Sequence, residues 1–398
     1  MTTTKLTEKQ QEGLNIAVNR YKTGERYTVI AGWAGTGKTF LAKQIIDALG
    51  LTDEEFIVGS FTGKASYRLL EGGFQNAMTL HKLRYSTVKI GNKFHHKKKD
   101  RSEFAGKKLI LIDEISMVSE GLLKDISELG IHTIMMGDPF QLPPIGRDNG
   151  MLRNPHITLD EIMRQEEGSE IIELASRIRL GEKIVPFTGK EVKIISKPEL
   201  EVEKLWWADQ IICGFNSTRK KFNGVVRTHL GYSGLPKQGD KIIVTSNNWD
   251  MVNDSGSPLI NGMIGEVVSA SGIFKADQRM GAMLGKKIEL ARITFTPEIG
   301  GSDFTIKYDT LPLTSEKEET SYVMDQFAKG ERRINYIDYG YCITTHKSQG
   351  SEYEKVLGIE EILNNKNHRR WLYTMVTRAS KELILVYDEN SPIWDFSS

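Results

Sequence analysis

Only two of the 398 residues are cysteine, Cys213 and Cys342. Two thiols alone cannot complete a four-ligand zinc site. Each sits beside apolar residues, so both are expected as buried free thiols that pack like small hydrophobes, a usage that suits a reducing compartment. Long apolar runs are also missing, and none approaches the roughly 20 residues of a membrane span. Met1-Thr2-Thr3-Thr4-Lys5 leads into no apolar signal segment. A soluble, cytoplasmic protein with no membrane partner is expected. Charge of one sign is lacking too: Lys plus Arg number 53 against 52 Asp plus Glu, for a formal net charge of +1. The molecule is not a polycation, so any nucleic-acid site must be a local patch. Internal repeats and low-complexity tracts are absent. At roughly 100–200 residues per domain, the length implies two or three domains.

What is present begins with a strand-like run, Tyr27 to Ala31, followed at once by Gly32-Trp33-Ala34-Gly35-Thr36-Gly37-Lys38-Thr39 and by helical spacing from Phe40 to Leu49. This matches G-x-x-x-x-G-K-[ST] in the strand, loop and helix context that a phosphate-binding loop requires. Glycines let main-chain N–H groups turn inward around phosphate oxygens, and the following helix presents its positive end. Lys38 would reach the β/γ-phosphates and Thr39 would offer its hydroxyl to Mg²⁺. The alternative, a glycine-rich turn without ligand, does not explain the flanks. Upstream, Thr7-Glu8-Lys9-Gln10 fits a capping box at the start of a helix reaching Asn19.

Apolar runs at 56–60, 109–112 and 133–136 alternate with helical stretches, which argues for an α/β fold with a parallel sheet. A second set at 211–213, 242–244, 341–343, 356–359 and 383–386, with a helix-like segment over 369–379, reads as a second α/β unit. Between about 249 and 335 glycines and period-two alternation suggest a β-rich insertion, with Asn261-Gly262 as a turn. A smaller insertion at 85–101 reads as a hairpin about Gly91-Asn92. The boundaries are placed at 1–153 for the first unit and 154–398 for the second.

Asp113-Glu114 ends the run Leu109 to Ile112, at the carboxyl end of a strand, where ligands of open α/β sheets bind. Asp113 suits the Mg²⁺ shell, and Glu114 can act as a general base on water. Gln141, in Gly137-Asp138-Pro139-Phe140-Gln141-Leu142-Pro143-Pro144, could sense a γ-phosphate, because its amide both donates and accepts. A plain proline-rich turn is the alternative. Arg164 and Arg378 could each stabilise charge on a transferring phosphoryl group, although arginines on helices are more often simply solvated.

These ordered motifs together resemble a superfamily 1 DNA helicase of the 5′→3′ branch, the phage Dda and RecD-like group. The resemblance covers nearly the whole chain, weakly over 249–335. It implies two RecA-like P-loop NTPase domains, ATP with Mg²⁺, and single-stranded DNA and its junctions with duplex as partners. Lys38, Thr39, Asp113, Glu114 and Gln141 match the family's ATPase residues, and Arg164 and Arg378 its two arginines. Gly350 and Glu352 match the motif that reaches the nucleotide from the second unit. Gln10 matches a glutamine that contacts adenine, beside its capping role. Gly32, Ala34, Gly35, Thr36 and Gly37 complete the nucleotide contacts. Strand-gripping motifs map to Phe61, Thr62 and Lys64, to His81, and to Thr345, His346 and Lys347. Their hydroxyls and lysines suit phosphates, and the aromatic rings suit base stacking. Asn216 and Arg219 fit a motif that faces both ligands. The hairpin, with Phe94 and the basic run after it, falls where the family has a strand-separating pin; a solvated loop is the rival reading. The 249–335 insertion falls where the family has an SH3-like module.

The resemblance further implies an ATP-dependent motor in phage DNA replication or recombination, monomeric because both halves of the site are in one chain. A single-strand binding protein or other replication proteins would be its partners. A P-loop kinase, a nucleotide switch and an RNA helicase of the same superfamily remain the competing readings.

Overall fold

The computed structural model describes residues 6–90, 93–144, 146–161, 168–255, 257–275, 289–298, 301–310, 313, 334–363 and 367–396, without the side chains of 87–90, 93–96, 249–250 and 274–275. Arg164, Gly91 and Asn92 lie outside the described residues, as does the side chain of Phe94.

In chain order the first half holds α1 (Glu8–Lys22), β1 (Tyr27–Gly32), α2 (Lys38–Leu49), β2 (Phe56–Ser60), α3 (Gly63–Glu71), β3 (Met78–Thr79) and α4 (Leu80–Arg84). There follow β4 (Tyr85–Ile90), β5 (Lys93–Lys98), β6 (Leu109–Asp113), α5 (Glu120–Ser127), β7 (His132–Gly137), β8 (Ile157–Leu159), α6 (Glu170–Leu180) and β9 (Val192–Ile195). The second half holds α7 (Glu203–Trp207), β10 (Gln210–Cys213), α8 (Asn216–His229), β11 (Lys241–Val244), β12 (Asn248–Val252), β13 (Pro258–Leu259), β14 (Ile264–Ala270) and β15 (Phe274–Lys275). It ends with β16 (Glu289–Pro297), β17 (Phe304–Asp309), β18 (Ile337–Tyr339), β19 (Cys342–Thr344), α9 (Thr345–Ser348), β20 (Tyr353–Ile359), α10 (His368–Val376) and β21 (Ala379–Val386).

The chain divides into two compact units. The first comprises 1–86, 97–204 and 348–398, and the second 87–96 and 205–347. In the first, a parallel sheet runs in the order β3-β2-β6-β7-β1-β8. Its central strands are apolar at consecutive positions because both faces are covered. Leu109 and Leu111 of β6 join one buried cluster, with Leu41 and Ile45 of α2. Ile110 and Ile112 join the opposite one, with Leu122 and Ile126 of α5. The order sends the carboxyl ends of β1, β6 and β7 to one edge, which is where the loops bearing the polar motifs emerge. A second parallel set, β20-β21-β9, belongs to the same unit. Residues 348–398, grouped with the second unit on sequence, thus pack with the phosphate loop.

The start of α1 is capped as its spacing predicts. Thr7 Oγ1 accepts from Gln10 N at 3.3 Å, and Gln10 Oε1 accepts from Thr7 N at 3.1 Å. Strands β4 and β5 pair as the expected hairpin.

In the second unit β10 and β19 pair in parallel. Cys213 and Cys342 are buried there without a disulfide, their sulphurs 3.6 Å apart. An antiparallel sheet follows the order β15-β16-β14-β11-β18, with β17 on the other side of β16. Its core includes Val267, Ile293, Phe295 and Ile306, the inward positions of alternating strands. Gly262 takes φ 88° at the Asn261-Gly262 turn. The buried Arg227 anchors α8 to this sheet through a forked contact with Asp240, at 3.0 and 2.9 Å.

Candidate nucleotide site and strand-binding surfaces

The phosphate loop leaves β1 and turns into α2 through Gly35 and Gly37, at φ 75° and 70°. Only glycine adopts this left-handed backbone readily. Three side chains hold the loop from outside. Gln10 Nε2 donates to Thr36 O at 3.0 Å, the Arg179 guanidinium stacks 4.0 Å from the Trp33 ring centre, and Ala34 N donates to Tyr373 Oη at 3.1 Å. Lys38 Nζ donates to the carbonyls of Gly32 and Trp33, at 2.9 and 3.1 Å.

A cavity of about 430 Å³ opens beside this loop, within the first unit. It is lined by Ala34, Gly35, Gly37, Lys38 and Thr39, by Asp113, Glu114 and Gln141, and by Gly350, Glu352 and Arg378. Residues that lie far apart in the chain are thus brought together. Asp113 ends β6, and burial with the neighbouring Glu114 carboxylate raises its pKa. Glu114 follows with φ 55°, the one non-glycine residue at positive φ among those described. Sparsely populated backbone of this kind costs of order 1–3 kcal/mol and collects at functional sites. Glu114 Oε2 and Gln141 Oε1 are buried acceptors without a hydrogen-bond partner. Buried acceptors of this kind suit a water molecule or a ligand donor.

Arg378 is 5% exposed. It donates to Thr374 O and Ser351 O at 2.9 Å each and to Thr377 Oγ1 at 3.1 Å, all uncharged oxygens. Burial lowers its pKa, and the Glu114 and Glu352 carboxylates oppose that. Gly350 has φ 73°, and a Cβ there would lie 2.8 Å from Thr62 Oγ1. Glu352 forms an ion pair with Arg68 of α3, a cavity residue one helical turn beyond Lys64. The sequence reading passed over Arg68; its spacing from Lys64 was the available signal. Asp138 was passed over likewise, although it shares a motif with Gln141. It is fully buried and accepts from Phe140 N at 2.8 Å. Ser169, Ile171 and Ile172 at the start of α6 also line the cavity.

Gln10 does not line this cavity. Its amide is engaged once at each end, by the cap and by the loop, and each end keeps capacity for a further bond.

The expected strand-binding residues differ in presentation. Phe61 and exposed His81 stand edge to face at 5.7 Å. Thr62 caps α3, accepting from Ala65 N at 3.1 Å. Lys64 is 7% exposed and its Nζ lies over the Tyr353 ring, 4.4 Å from the centre. In the second unit Asn216 is exposed and accepts from Arg219 Nε at 3.2 Å. Arg219 in turn pairs with Asp338 at 2.5 Å. Thr345 is fully buried, its hydroxyl donating to Cys213 O at 3.2 Å. His346 is exposed, and burial, reinforced by Arg219, lowers the pKa of Lys347.

Known proteins resemble this chain over both of its ends. Residues 5–193 match the AAA domain family and residues 339–386 the UvrD-like helicase C-terminal domain. The ATP-dependent RecD2 DNA helicase of Deinococcus radiodurans is 26% identical over 89% of this chain and 46% of its own. Along most of its length the chain is similar to superfamily 1 helicases of the Pif1/RecD-like family. It spans about half the length of that RecD2 relative. The ATP-dependent DNA helicase dda of Enterobacteria phage T4 is 29% identical over 46% of this chain and 44% of its own. The fold matches Pif1 helicase from Bacteroides in complex with ADP-AlF3 and ssDNA, with a TM-score of 0.57 at 19% identity, over 97% of this chain and 95% of that one. Such a likeness confirms the α/β fold with RecA-like P-loop domains. Among the described residues no helix is long and apolar enough to cross a membrane.

Proposed function

We propose that this chain is an ATP-hydrolysing DNA helicase that moves 5′→3′ along single-stranded DNA and unwinds duplex in phage replication or recombination. One observation carries the reading: a single cavity unites the phosphate loop with Glu114, Gln141 and Arg378. A kinase needs no base placed for water, and a binding switch needs no such base either.

The residues fit ATP and Mg²⁺. Unpartnered Glu114 Oε2 and Gln141 Oε1 sit beside a glycine-rich cradle at the start of α2. Thr39 and Asp113 would hold the metal ion, which supplies charge neutralisation at the phosphates. Lys38 exchanges its loop carbonyls for phosphate oxygens. Glu114 takes the proton of a water that Gln141 orients towards the γ-phosphate. Arg378 leaves neutral oxygens for the charge that develops there. Arg164 is proposed as the second arginine on family pattern. Loss of the γ-phosphate removes the grip on Arg378, and such a loss can drive a two-state movement.

Phe61, His81, Asn216 and His346 are the strand contacts this reading favours, because their rings or amides are presented. Thr62, Lys64, Thr345 and Lys347 would contribute after local rearrangement. The 85–101 pin and the SH3-like nature of 249–335 belong to the same proposal, as do a monomeric state and a single-strand binding protein as partner.

The decisive measurement is ATP hydrolysis with and without single-stranded DNA, followed by unwinding of tailed duplexes. DNA should stimulate turnover, Lys38→Ala should abolish it, and only 5′-tailed duplex should open. Stimulation by RNA alone would favour the RNA helicase reading, and opening only of 3′-tailed duplex would reverse the direction. Removing Val88 to Lys99 should spare DNA-stimulated ATPase but impair unwinding. Intact unwinding would leave the hairpin as a solvated loop.

A further inference from the structure

One buried hydroxyl joins three parts of the nucleotide site. Tyr373 of α10 is 1% exposed. Its Oη accepts from Ala34 N, a main-chain amide of the phosphate loop, at 3.1 Å. The same hydroxyl donates to Asp138 Oδ2 at 2.6 Å. Both roles are fixed, since burial and the Asp138 carboxylate raise the phenol's pKa and keep it protonated. The ring stands edge on to Phe140 at 5.2 Å.

Neighbouring side chains of α10 grip the Asp138–Leu142 segment. Arg370 Nη2 donates to Pro139 O at 2.6 Å, and Thr374 Oγ1 accepts from Leu142 N at 3.0 Å. Gln349 Nε2 donates to Leu142 O at 3.2 Å. Gln141 lies inside this gripped segment, and Arg378 lies two residues past the end of α10. Of these contacts, the one from Tyr373 alone also reaches the phosphate loop.

We propose that Tyr373 is a positioning residue that locks the phosphate loop, the Asp138–Leu142 segment and the Arg378-bearing end of α10 into one geometry for binding nucleotide. The proposal rests on the reading of the loop as an ATP site. Through Ala34 it sets the direction of a loop amide, and through Asp138 the place of Gln141. Removing the hydroxyl strands a buried amide and a buried carboxylate, and both penalties fall at the site.

The test titrates a fluorescent ATP analogue with Mg²⁺ into the full chain and into Tyr373→Phe, with thermal melting and steady-state ATPase alongside. The substitution should weaken the dissociation constant at least about tenfold, since one stranded buried partner is worth roughly that much and two are stranded here, and raise KM for ATP in step. Melting should remain cooperative. Asp138→Asn keeps the shape but weakens the bond from Tyr373, and it should weaken binding in the same direction. The double variant should bind no worse than Tyr373→Phe alone, because the bond that Asp138→Asn weakens is already lost there. Binding within twofold of the parent in either folded variant overturns the proposal, and so does full additivity. If Tyr373→Phe does not fold, Asp138→Asn decides by the same criterion. A parent that binds the analogue but does not hydrolyse ATP would overturn the helicase reading and leave this test intact.

Discussion

Arg378→Ala is expected to lower DNA-stimulated ATP hydrolysis by about 10³–10⁵-fold, the range found for arginines that act on a transferring phosphoryl group. The size follows from where the guanidinium lies. It is buried, and all its recorded hydrogen bonds end on uncharged oxygens. A desolvated charge held in this way is poorly compensated. It gains most when a nearby oxygen becomes more negative, which is the situation of the γ-phosphate during cleavage. Arg378→Lys keeps the charge but loses the planar fork, so it should rescue little. Nucleotide affinity should change far less than turnover, because the stabilisation belongs to the transition state. Single-turnover hydrolysis with saturating DNA measures the effect, and a loss below tenfold would remove Arg378 from the mechanism.

Glu114→Gln should cost about 10²–10⁴-fold in turnover, the usual worth of a positioned general base. The left-handed backbone at φ 55° aims this side chain, and glutamine can occupy it at similar strain. The amide preserves the shape and can still hold a water, but it cannot accept the proton. Binding of ATP and of single-stranded DNA should therefore survive while phosphate release stops. Retention of turnover within about threefold would show that proton transfer to Glu114 is not needed.

Part of the site was readable because its chemistry is local. The phosphate loop needs glycines and a lysine at fixed spacing between a strand and a helix, and all of that lies in one short segment. Asp113 and Glu114 were readable because an apolar run with both faces buried must end where two carboxylates begin. The capping pair Thr7 and Gln10 was readable for the same reason, being three residues apart. Lys64 reads in its motif as a cation for strand phosphates. In the folded chain a ring contributed by Tyr353 draws it inward, and nothing near Lys64 in sequence announces that ring. Arg68 and Glu352 were missed as a pair because they are 284 residues apart. Arg378 was expected on a second unit, since chain order separates it from the phosphate loop, yet segment 348–398 packs in the same compact unit.

The phosphate loop, the alternation of strands and helices, and the β-rich texture read at about 249–335 follow from residue spacing alone, since backbone geometry and burial act over a few residues. The company that Tyr373, Lys64, Gln10 and Arg378 keep was decided by the tertiary structure. Each of these side chains can satisfy its polar atoms in several ways, and only the packing of distant segments selects which partner it meets.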